Sequence, residues 1–109
     1  MNIYAIYHYS SLMNKKNTAV IGTGWFGRAH ARNYATDSNL VAVCDVNEAL
    51  AANVASEYKD VHAYSDVEEM INNESIEAVS IVTPPSEIPR LAEICAKAGI
   101  SILMEKPMG

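Results

Sequence analysis

The sequence predicts an α/β fold, a doubly wound parallel sheet of about five strands in the order 3-2-1-4-5. Three observations carry that prediction. Short runs that are apolar on both faces, Thr18–Gly22, Leu40–Asp45, Ala78–Thr83 and Ser101–Glu105, read as strands covered on two sides. Amphipathic stretches of helical period separate them, so strand and helix alternate, which favours parallel strands joined by right-handed crossovers. Three glycines, Gly22, Gly24 and Gly27, stand at the first strand-to-helix junction. Glycine inside ordered structure costs roughly 0.5–1 kcal/mol against alanine, so the backbone there must turn sharply or approach something closely.

The elements follow in order. After Thr18–Gly22, the first helix carries Gly27, Ala31, Tyr34 and Ala35 on one stripe, which puts the third glycine against the sheet. Asn47 caps the second helix, whose stripe is Leu50, Val54 and Tyr58. Val61–Tyr64 is a short strand near an edge, with His62 on the surface. Ser65-Asp-Val-Glu68 forms a capping box, followed by a helix burying Val67, Met70 and Ile71. Ser86 caps the fourth helix, with Ile88, Leu91, Cys95 and Ala98 facing inward; Pro89 fits its first turn and Gly99 stops it. Residues 1–17 stand apart as an extension expected to be poorly ordered. Residues 18–109 form the domain, expected to be incomplete at its C-terminus for want of a sixth strand.

Composition excludes several classes. The chain has 109 residues, 50% hydrophobic and 19% charged, which suits one globular domain. Its net charge is −5, and no Lys/Arg cluster offers a footprint for nucleic acid. No apolar stretch approaches the ~20 residues of a membrane span, and residues 1–17 lack the basic start and unbroken apolar core of a signal peptide. Cys44 and Cys95 each sit in an apolar run and read as reduced core thiols of a cytoplasmic protein, not as a disulfide or metal framework. No metal site is expected.

Gly22-Thr23-Gly24-Trp25-Phe26-Gly27 follows a strand, opens a helix, and is followed about twenty residues later by an acid, Asp45, at the end of the next strand. That context makes the glycine motif a dinucleotide cradle. Gly22 permits the turn, Gly24 lets backbone N–H groups approach a pyrophosphate at the positive helix end, and Asp45 accepts from the ribose hydroxyls. Asp45 would repel a 2′-phosphate, and the residues after it bring no arginine, so NAD is favoured over NADP. The alternatives are an empty turn with Asp45 as a helix cap, or a cradle for S-adenosylmethionine. Thr83-Pro84-Pro85 and Glu105-Lys106-Pro107 follow the fourth and fifth strands. They therefore fall on the same rim, where strand order reverses. His30 either fills a gap beside Phe26 or meets the pyrophosphate, and Arg28 is expected to be solvated.

Four segments in consecutive register, VIGTGWFGRAHARNY, VAVCDVN, SIVTPPSE and ILMEKPMG, resemble the nucleotide-binding half of the Gfo/Idh/MocA oxidoreductase family. The resemblance runs from Thr18 to Gly109. It implies that Thr83 and Pro84 lie along the dinucleotide, and that Lys106, with Glu105 beside it, sits near the nicotinamide and the substrate hydroxyl as the catalytic residue. The reaction it implies is NAD(P)-dependent oxidation or reduction of a sugar, cyclitol or related polyol. Two departures qualify it. Ile88 stands where family members commonly carry a histidine, and the sequence stops at Gly109, short of the family's substrate domain. The chain alone is thus expected to bind a dinucleotide without turning over a polyol, and to self-associate through an uncovered sheet edge. A non-catalytic dinucleotide-binding module or an inactive remnant is the alternative.

Overall fold

The computed structural model describes residues 16–103; the extension up to residue 15 and the Glu105-Lys106-Pro107 segment lie outside the described residues. Five strands form one sheet in the order β3-β2-β1-β4-β5: β1 Asn17–Ile21, β2 Asn39–Cys44, β3 His62–Tyr64, β4 Ala78–Ile81 and β5 Ser101–Leu103. Every neighbouring pair is parallel. The helices are α1 Trp25–Asp37, α2 Glu48–Ala55, α3 Val67–Asn73 and α4 Ile88–Lys97, with a 3-10 turn at Pro85–Glu87. The predicted doubly wound architecture is therefore the observed one.

Alternation along β1 divides the core. Ala19 and Ile21 join Ala42, Cys44, Met70, Val79, Leu91 and Cys95 on the face covered by α3 and α4. Val20 joins Val43, Ala31, Tyr34 and Val54 on the face covered by α1 and α2. Burying each large apolar side chain contributes roughly 1.5–3 kcal/mol, so both layers hold the sheet. Thr18 and Ser80 are buried polar residues with hydroxyl partners, Thr18 with Ser38 at 2.8 Å and Ser80 with Tyr34 at 2.6 Å.

Several local expectations are corrected. Asp66, not Ser65, caps α3, its carboxylate accepting from the Glu69 N–H at 3.0 Å; the Ser65 hydroxyl instead donates to Glu48 at 3.3 Å. Ser86 caps nothing, because Pro85 starts a 3-10 turn that runs into α4 at Ile88. In α2 the buried residues are Ala51, Val54 and Ala55, while Leu50 is exposed and Tyr58 only half-buried. Short alanines let α2 lie close to the sheet with its stripe rotated, and that rotation turns Leu50 outward. Ala35 and Ala98 are likewise exposed. Asn47 does cap α2, accepting from the N–H groups of Ala49 and Leu50.

The β1–α1 junction is a close backbone crossing. Gly22 has φ +103°, and a Cβ there would run into the Val82 carbonyl. A Cβ on Gly27 would overlap the Gly22 carbonyl oxygen, which is backbone and has little freedom to yield. Gly24, in contrast, has nothing within 4 Å of where a Cβ would stand. Gly27→Ala is expected to destabilise the fold by about 1–3 kcal/mol. Gly24→Ala is expected to change stability by no more than about 1 kcal/mol. Urea unfolding of the two variants checks this; equal midpoints would contradict the close crossing at Gly27.

Candidate functional site: the rim of β1, β2 and β4

Backbone bonds carry the strand ladder into the loops at the carboxyl ends. The Gly22 N–H donates to the Cys44 carbonyl at 2.7 Å, the Val82 N–H to Ile21 at 2.8 Å, and the Asp45 N–H to Tyr64 at 3.0 Å. The glycine loop, Asp45 and Thr83 are thereby fixed to one another through the sheet. A cavity of about 510 Å³ opens above them. Gly22, Gly24, Asp45, Val46, Thr83 and Pro84 line it on the strand side, and Leu50, Leu91 and Ile94 supply apolar wall.

Gly24 is the N-cap of α1 and has no side chain to satisfy the first-turn N–H groups; no acidic residue lies in that turn. The positive end of a 13-residue helix is thus left without an internal anion at the edge of the cavity. Thr83 contributes a second open valence. Its Oγ1 is buried and, among the described residues, has no hydrogen-bond partner. A buried hydroxyl left unsatisfied costs about 1–3 kcal/mol, which a ligand accepting or donating there would recover.

Asp45 lines the cavity beside the glycine loop. Its Oδ1 accepts from the Asn47 N–H at 2.9 Å, and its Oδ2 accepts from both the N–H and the hydroxyl of Thr23, each at 2.9 Å. Burial pushes the Asp45 carboxyl up, but these three donors outweigh it and hold the group below its ordinary value. Asp45 is therefore ionised at neutral pH and also serves as the tie between β2 and the glycine loop. Nearby Cys44 lines the same cavity, and burial together with the charges of Asp66 and Asp45 pushes its thiol up to about 12. It is a protonated, inert wall, and it is not disulfide-bonded.

The structure thus brings Gly22, Gly24, Asp45, Thr83 and Pro84 together around one cavity, with Thr23 and Gly27 buried behind it. Trp25 and Phe26 stand outside its lining, 78% and 63% exposed, in edge-to-face contact at 4.9 Å. The His30 Nδ1 bonds the Ser80 hydroxyl at 2.9 Å, a partner on β4 that neither sequence reading named. Arg28 is not merely solvated, because it pairs with Glu57 at 2.7 Å. Ile88 packs half-buried against the core. Sequence reasoning missed Leu50, Asp66 and Arg90 as cavity residues. Glu105 and Lys106 lie outside the described residues.

Residues 16–109 match the model of an oxidoreductase family with an NAD-binding Rossmann fold. The chain is 43% identical over 90 residues to a UDP-N-acetylglucosamine 3-dehydrogenase of Acidithiobacillus ferrooxidans, a match covering 83% of this chain and 28% of that protein. It is 32% identical over 95 residues to an inositol 2-dehydrogenase of Saccharopolyspora erythraea, covering 84% of this chain and 28% of that one. The solved A. ferrooxidans structure superposes with a TM-score of 0.79 at 42% identity, over 87% of this chain and 30% of the other. A scyllo-inositol dehydrogenase of Lactobacillus casei, solved with NAD(H) and scyllo-inositol, superposes at 0.78 with 28% identity, over 88% and 29%. The chain spans less than a third of the length of each of these relatives.

The depressed Asp45 carboxyl gives a testable acid signature. A folded-state value below the unfolded one contributes stability that is present above the unfolded value and lost as pH falls through the folded one, here below about pH 4. Asp45→Asn is expected to lower the urea midpoint at neutral pH. The gap from the unaltered chain should then close in acid, as protonation removes the same charge from Asp45. A gap of constant size across that range would show that the tie does not depend on ionisation.

Proposed function

The chain belongs to the Gfo/Idh/MocA family of oxidoreductases as an NAD-binding Rossmann domain, and from that premise we propose that it serves hydride transfer between NAD and a sugar, cyclitol or related polyol. The observation that carries this reading is the uncapped amino end of α1, which opens at Gly24 onto a cavity that Asp45 and Thr83 also line. The residues present fit the cofactor. The α1 N-terminus takes the pyrophosphate, Asp45 the adenosine ribose, and Thr83 and Pro84 lie along the dinucleotide, the Thr83 hydroxyl gaining the partner it lacks among the described residues.

Bound NAD supplies the hydride acceptor. The protein's part is to orient the cofactor against the alcohol and to manage the proton. That second task falls to Lys106, whose Nζ would polarise the substrate hydroxyl or, as the neutral amine, take its proton as the carbon gives up hydride. The relatives named for UDP-N-acetylglucosamine and inositol motivate a secondary alcohol on a ring as the substrate. The reading places the protein in the cytoplasm, where two buried thiols stay reduced. It also includes self-association through β5, an edge strand among the described residues. Sedimentation across a concentration range checks that last element; a monomer throughout would remove it.

Calorimetric titration with NAD and NADP tests the cofactor assignment. NAD is expected to bind more tightly. Asp45→Ser should weaken NAD by a term of about 1.5–3 kcal/mol, the worth of a hydrogen bond to a charged group, while improving NADP relative to it. Gly24→Val should weaken both, since its side chain would enter the space now open beside the helix end. Undiminished binding by Gly24→Val would make the loop structural only.

A further inference from the structure

Asp45 has little acceptor capacity left for a ligand. An ionised carboxylate offers about four lone-pair positions, and three are already used: one on Oδ1 by the Asn47 N–H, and both on Oδ2 by the N–H and the hydroxyl of Thr23. Thr23 is 1% exposed and does not line the cavity, whereas Asp45 does. Its two bonds therefore reach the carboxylate from behind, inside the glycine loop. One acceptor position, on Oδ1, remains for whatever enters from the cavity.

We infer that Thr23 is a positioning residue for cofactor selection: its hydroxyl turns Oδ2 inward and holds the Asp45 carboxylate rigid, so that Oδ1 alone meets the ribose. This rests on the NAD reading above and refines it from a carboxylate embracing both hydroxyls to one presenting a single, fixed oxygen. The rigidity has a consequence for discrimination. A carboxylate free to rotate about its χ angles can swing aside for a 2′-phosphate; one pinned by two donors on the same oxygen stays where like charge repels that phosphate. Thr23 thus acts on NAD over NADP without touching either.

The sequence alone does not suggest this, because the G-x-G-x-x-G pattern leaves the position between the first two glycines unspecified. Threonine is distinguished here by a hydroxyl that lies on the same oxygen as its own N–H. Valine would match its shape and keep the N–H bond while losing the second donor. Serine would keep both donors and lose only a methyl group.

NAD and NADP affinities of the chain, Thr23→Val and Thr23→Ser are measured by calorimetry, supported by the fluorescence of the single tryptophan, Trp25. Thr23→Val is expected to weaken NAD about three- to tenfold, as for loss of one charge-assisted bond, with NADP weakened less or strengthened, so that the NAD:NADP preference narrows. Thr23→Ser should restore the preference to within about twofold of the unaltered chain. In an Asp45→Ser background, Thr23→Val should leave the preference unchanged, because its partner is gone. If Thr23→Val does not fold, Thr23→Ala loses the same hydroxyl with less bulk and carries the same readout. A Thr23→Val preference equal to that of the unaltered chain, or a Thr23→Ser preference as narrow as that of valine, overturns the inference while leaving the NAD assignment intact. Failure of the unaltered chain to bind NAD overturns that assignment and this inference with it.

Discussion

The rest of the molecule depends on the backbone crossing of α1 over the end of β1. Gly27 lies so close to the Gly22 carbonyl that it admits no side chain, and Gly22 is closed to one by the Val82 carbonyl. That contact sets the height of α1 above the sheet, and with it the depth at which Ala31 and Tyr34 are buried. Tyr34 then reaches the Ser80 hydroxyl on β4, and His30 reaches the same atom. A larger residue at position 27 would lift the helix off the sheet and break these bonds together. Gly22 and Gly27 are thus structural first; the ligand site is what their geometry leaves open at Gly24.

It leaves open an electrostatic asymmetry. On one side of the cavity the amino end of α1 lacks both a capping side chain and an acid. Elsewhere on its lining, Asp45 is held ionised by three donors. A ligand that suits both must be anionic where it meets the helix and carry hydroxyl donors where it meets the carboxylate, with an apolar body for the Leu50, Leu91 and Ile94 wall. A dinucleotide has those parts in that order. The same asymmetry disfavours an additional phosphate at the Asp45 end, since no described cation pairs with that carboxylate: Arg28 is engaged with Glu57 and Arg90 with Glu87.

How much of this was legible follows from how local each signal is. The sheet order was readable because five apolar runs separated by helical patterns admit few parallel topologies, and because the glycine loop and Asp45 mark which strands are first and second. Caps were readable to within a residue. Asn47 caps α2 as its position suggested, but Ser65 and Asp66 are adjacent, and α3 starts at Val67, which puts Asp66 at the cap with its carboxylate on the Glu69 N–H. Leu50 illustrates a different failure. Periodicity assigns the largest apolar residue to the core, yet alanines at 51 and 55 pack closer to the strand and turn Leu50 into cavity wall. His30 and Thr23 were invisible in their true roles because their partners, Ser80 and Asp45, lie far away in sequence.

Several titratable groups around the cavity are engaged in holding the structure together. Asp45 is committed to Thr23 and Asn47, Asp66 to the cap of α3, and Glu87 to Arg90 at 3.0 Å. The Cys44 thiol, pushed up to about 12, neither donates nor accepts a proton near neutrality. Each of these contacts holds part of the rim in a fixed conformation. The described rim is therefore equipped to bind and orient. The proposed mechanism accordingly looks outside this rim for its proton acceptor and assigns that role to Lys106, in the segment that follows β5 in the sequence.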